Sequence, residues 1–165
     1  MGTQATEVFN DAKALLKKIV EEKWLTAKGA IGFWEAEKTA PDTVTVNKNT
    51  DLQFLRQQVK KAAGEPNLSL ADFIRPNAET DYLCAFSVSI HGIEPHMKRF
   101  EDNSDDYNKI MLQALADRLA EAFEELLHTK TRTEYWGYAK GEHLSTEELI
   151  KEKYQGIRPA PGYPA

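Results

Sequence analysis

A chain of 165 residues, 41% apolar and 28% charged, has the make-up of one soluble globular domain, or a piece of one, with enough material for a real core. A net charge of −5, with no basic block, argues against a nucleic-acid or anionic-membrane surface. No apolar run approaches the ~20 residues of a membrane span, no signal-peptide pattern is present, and the lone Cys84 fits a reducing, cytoplasmic setting without disulfides.

Residues 5 to about 24 read as a helix, because Val8, Phe9, Ala12, Leu15, Leu16, Ile19 and Trp24 recur at helical spacing until Gly29 breaks the pattern. The β-rich stretch 30–36 and the short run 44–46 flank a turn at 38–42, which predicts a hairpin. Asp51 caps a predicted helix to about Ala63, with Leu52, Leu55 and Val59 on one face. The turn-rich connector 68–76 is expected to tuck Leu70, Phe73 and Ile74 into the core. Residues 82–90 alternate as a half-buried strand.

The longest predicted helix runs from about Asp105 to Lys130, capped by Asn103 or Ser104, with Tyr107, Ile110, Met111, Ala114, Leu115, Leu119, Ala122, Phe123, Leu126 and Leu127 on its apolar face. A loop over 137–142 follows. Ser145 and Glu148 have the form of a capping box that opens a short helix to about Tyr154. No repeat or flexible linker divides the chain, so no internal domain boundary is drawn within residues 1–165.

Several constellations invite chemistry and are weighed against plainer accounts. Asp117 and Glu121 lie one turn apart on the long helix, where a bound cation would offset their repulsion. A solvated helix face beside Arg118, Glu124 and Glu125 is the favoured account of the pair from the residues alone. The four histidines lack metal-ligand spacing. Asp102, Ser104 and Asp106 mimic the start of a calcium loop, but Tyr107 stands where that loop needs glycine. No Gly-rich phosphate loop and no GxSxG is present. Cys84 reads as an inert small hydrophobe, and Trp24, Trp34 and Trp136 as core, with Trp136 also placed to line a cleft.

The final stretch, YQGIRPAPGYPA, is the most informative. Its prolines stiffen the backbone, Gly162 lets a ligand approach the main chain, and Arg158 offers a planar fork suited to a carboxylate. It reads either as a clamp for a small zwitterion or as a Pro-rich tail without fixed structure.

The blocks DDYNKIMLQALADRLAEAFEELLH, YWGYA and LSTEELIKEKYQGIRPAPGYPA, in this order and spacing, resemble one family, the C-terminal activation domain of cobalamin-dependent methionine synthase. ADFIRP and DYLCAFSV also fit, and GAIGFWEA and LRQQ fit more loosely. The resemblance implies an α+β fold, a twisted antiparallel sheet with long helices packed on it. It implies S-adenosylmethionine as ligand, with cobalamin held by a neighbouring domain of the parent enzyme. It also implies a role in reductive methylation of oxidised cobalamin, with a flavodoxin-type protein as electron donor. Carried over residue by residue, Arg158 would pair with the ligand carboxylate, Ala160, Gly162 and Tyr163 would frame it, and Glu121 would hold its ammonium.

The family domain begins further upstream, with an aspartate that also contacts the ligand, and continues past the RPAPGYP signature. The chain is therefore expected to be a partial domain, without turnover alone and with some apolar surface uncovered. The rival reading is a docking module for the cobalamin domain or the reductant without useful ligand affinity. A third is a stand-alone relative using the same clamp for another nucleoside or amino acid.

Overall fold

A computed structural model describes residues 2–76 and 81–160. Its elements are α1 (Thr3–Glu21), β1 (Thr26–Ala40), β2 (Thr43–Val46), β3 (Thr50–Gln53), β4 (Asp81–His91), α2 (Ile93–Asp102), α3 (Asp106–Lys130) and α4 (Thr146–Ile150). Short 3-10 and π turns occupy Leu70–Phe73 and Thr131–Tyr135. The four strands form one sheet in the order β3-β2-β1-β4. Helices and a sheet contributed by separate stretches of chain make this the expected α+β class. The residues group into two compact units, Met1–Gly29 with Val88–Ala165, and Ala30–Ser87.

The first unit is helical. Leu15 and Ile19 of α1 meet Met111 and Leu112 of α3 around Trp24, and Met97 and Phe100 of α2 pack against that cluster. Trp24 is held on several sides. The ring of His96 stacks on it at 4.1 Å, the Arg99 guanidinium lies 4.5 Å from its centre, and its indole N–H donates to Glu22 at 2.7 Å. Gly92 precedes α2 with φ +92°, and a Cβ there would stand 2.6 Å from the Trp24 carbonyl oxygen. Only glycine meets both demands.

The second unit is a hairpin extended by a third strand. Its register sets Ala36 opposite Val46 and Val44 opposite Leu52, so Ala36, Val44 and Val46 bury together with Ala71. Ser69 caps the 3-10 turn reciprocally with Asp72. Asp72 also takes Arg56 at 2.6 Å and Lys38 at 2.7 Å. Those hydrogen bonds, Arg56 first, hold its carboxyl well below the usual carboxylate range and push the Arg56 guanidinium up.

Several expectations need correction. Residues 51–63 are not helical. Thr50–Gln53 pairs with β2, and Leu55 and Val59, the supposed apolar face, stay 85% and 62% exposed. Cross-strand bonding of Thr45 to Asp51 and of Thr43 to Gln53 favours the strand instead. Of the connector residues, Ala71 is buried and Phe73 is exposed. β4 keeps its predicted alternation, but Tyr82 faces solvent. The helix α2 is an addition. Pro95 lies in its first turn, where its missing N–H costs no intrahelical bond.

Asp105, not Asn103 or Ser104, caps α3, its carboxylate accepting from the Asn108 amide. The buried stripe of α3 is Met111, Leu112, Ala116 and Leu127, while Tyr107, Ile110 and Leu126 are exposed. The Ser145–Glu148 capping box is present as read, though α4 ends at Ile150.

Candidate functional site

The C-terminal half of α3 and the chain that follows build a polar cluster within the first unit. After Lys130 the helix widens into the π turn, with the Trp136 amide bonding to the Thr131 carbonyl. Such turns displace side chains from regular helical positions. Arg132, on this turn, is completely buried. Its Nε donates to both Glu142 carboxylate oxygens at 3.1 and 3.0 Å, and Nη2 reaches the first of them at 2.6 Å. Its Nη1 donates to Nδ1 of His128 at 2.6 Å, so that imidazole accepts there and keeps its proton on Nε2.

Tyr154 covers this pair. Its ring centre lies 4.5 Å from the Arg132 guanidinium and meets the His128 ring edge-on at 4.7 Å. Burial pushes the His128 imidazole down to about 4, helped by the charges of Arg132 and Arg158 and opposed by Glu142. The Tyr138 hydroxyl donates to the Gln155 carbonyl at 3.1 Å. Gly156 then turns with φ +97°, the Tyr138 hydroxyl oxygen 3.0 Å from where a Cβ would stand. Any side chain at Gly156 would both strain the turn and crowd that tyrosine.

This path delivers Arg158 to α3. Its Nη2 donates to Oε2 of Glu125 at 2.8 Å, and Nη1 lies 3.7 Å from Glu124. The arginine and Glu125 are both mostly shielded, their side chains 28% and 30% exposed. Nε of Arg158 and Oε1 of Glu125 are buried without a hydrogen-bond partner among the described residues. A buried donor and a buried acceptor, each left over, cost free energy until a third molecule satisfies them. That pair of leftovers fits a ligand bearing both a carboxylate and an ammonium.

Of the residues named from sequence, Arg158 therefore lies against Glu125 and Glu124 on α3. Glu121 stands exposed and pairs with Arg118 at 2.5 Å. Ala160 is exposed, and Gly162 and Tyr163 lie outside the described residues. Sequence reasoning missed Arg132, Glu142 and the π turn. Among the described residues no group of acidic, His and Cys side chains is placed to hold a metal, and no helix is long and apolar enough to cross a membrane.

Two comparisons extend the geometry. The family model described as "Vitamin B12 dependent methionine synthase, activation domain" matches residues 1–165. A solved structure described as "Crystal Structure of the MetH Reactivation Domain bound to AdoHcy" is similar over 99% of this chain, with 45% identity and a TM-score of 0.86. The present chain spans 53% of that one.

Proposed function

We propose a ligand-binding function on one premise: this chain belongs to the family of the vitamin B12 dependent methionine synthase activation domain. Its ligand is S-adenosylmethionine, the methylated counterpart of the AdoHcy bound by its structural neighbour. Arg158 takes the amino-acid carboxylate, and the acidic side of α3, Glu121 with Glu125, takes the ammonium. Ala160, Gly162 and Tyr163 frame the molecule. When bound, S-adenosylmethionine supplies an electrophilic methyl group. The chain itself binds and orients the ligand, and orientation is the larger part of what such a transfer requires.

In the parent enzyme this activity serves reactivation of cobalamin held on a neighbouring domain, with a flavodoxin-type protein as electron donor. Both are partners of the whole protein in our reading, and the setting is cytoplasmic. The observation that carries the proposal is the unsatisfied, buried Nε of Arg158 beside the half-satisfied carboxylate of Glu125. Calorimetric titration with S-adenosylmethionine tests it. The chain is expected to give a saturable heat that Arg158→Ala weakens at least tenfold. A chain that gives no heat, or an alanine variant that binds as well, would overturn the reading and favour the docking module.

A further inference from the structure

We propose that Arg132 is a positioning residue for this site: it anchors Tyr154, and through it the segment that carries Arg158. The consequence for binding rests on the ligand reading above; the anchoring itself rests on geometry alone.

Arg132 is the largest fully buried side chain of the described residues. An arginine is withdrawn from water only when its charge and donors are met. Here Glu142, itself only 10% exposed, neutralises it through three contacts, and His128 and the Thr129 hydroxyl take further donors at 2.6 and 3.4 Å. A buried pair of this kind adds little net stability over apolar packing of the same volume. What it supplies is direction, because the planar fork fixes its own plane against the carboxylate.

That plane is the platform for Tyr154. The chain from Tyr154 then meets successive restraints: its ring on Arg132, the Gln155 carbonyl on the Tyr138 hydroxyl, the turn at Gly156, and Arg158 on Glu125. The first restraint sets the starting point for those that follow. α4 is only five residues long and has no buried side chain, so it cannot orient the segment from upstream. Arg132 and Tyr138, both contributed by the π turn and the residues just after it, do so from beneath.

Backbone 15N order parameters at Gln155–Arg158 and calorimetric titration with S-adenosylhomocysteine, on the full chain, test the idea. Arg132→Met and Tyr154→Leu are expected to lower the order parameters of that segment below about 0.6 and weaken ligand affinity at least tenfold, with order parameters in the middle of α3 unchanged. Tyr154→Leu keeps the buried ion pair intact and so covers the case in which Arg132→Met does not fold. Tyr154→Phe should restore both readouts, because the ring and not the hydroxyl meets Arg132. A merely structural loss would not be rescued so selectively.

Unchanged order parameters in Tyr154→Leu, or failure of Tyr154→Phe to rescue, overturn the proposal. Should the unaltered chain not bind S-adenosylhomocysteine, the ligand reading falls while the order parameters still decide the anchoring.

Discussion

Nη1 of Arg132 donates to Nδ1 of His128 across 2.6 Å, with both side chains almost wholly out of water. The guanidinium has nothing to accept with, so the contact exists only while His128 is neutral. The imidazole is held at about 4, against 6.5 for an ordinary histidine. The unfolded chain therefore takes up this proton first as pH falls. Stability is full above about 6.5, declines through the window down to about 4, and the loss is complete below it, at most on the order of 3 kcal/mol. Urea unfolding across this range should show the decline, and His128→Gln should flatten it. Because Arg158 helps depress His128, Arg158→Ala should move the ring titration upward in NMR spectra. An unmoved titration would mean that the arginine does not lie where the structure has it.

Gly92 and Gly64 share nearly the same left-handed backbone, φ +92° and +91°, in different surroundings. A methyl group at Gly64 meets open space, while one at Gly92 meets the Trp24 carbonyl oxygen at 2.6 Å. Gly64→Ala should cost about 1 kcal/mol, the conformational term alone. Gly92→Ala should cost roughly 2 kcal/mol or more, because backbone must also shift. Denaturant midpoints of the two variants compare them, and equal losses would contradict the close approach.

Arg56 ties residues 54–69 to their surroundings. It bonds to Asp72, to Asp42, and to the carbonyls of Pro41 and Asn67. That segment has no regular structure to fall back on. Arg56→Met should open it to limited proteolysis while the sheet signal in circular dichroism persists. A digestion pattern matching the unaltered chain would show that the segment is held by something other than this side chain.

The parts of the fold that could be read from sequence are those in which local signals agree. α1 and α3 are legible in their helical periodicity and α4 in the Ser145–Glu148 capping box, although Gly29, read as the end of α1, lies within β1 and the cap of α3 is Asp105. The failures have specific causes. Leu52, Leu55 and Val59 mimic a helical stripe, but the choice between helix and strand was made by pairing with β2, which no local window contains. α2 was hidden by Pro95, which reads as a breaker unless it falls in a first turn.

On α3 apolar residues lie around much of the helix, and its packing partners α1 and α2 select Leu112 and Ala116 over Ile110 and Leu126. Arg158 stood out because prolines and a glycine surround it. Arg132 did not, since an arginine ordinarily marks surface, and its counter-charge Glu142 sits ten residues away beyond a turn that widens the helix.

The placement of the tryptophans gives each unit its own optical reporter. Trp24 is buried in the helical unit, while Trp34 packs against the strand cluster of the other. The imidazole of His96 lying flat on Trp24 and the Arg99 guanidinium beside it should separate the emission of this indole from that of Trp34. Melting curves recorded through each indole, with the others changed to phenylalanine, would tell whether the helical and strand regions come apart in one transition or in two.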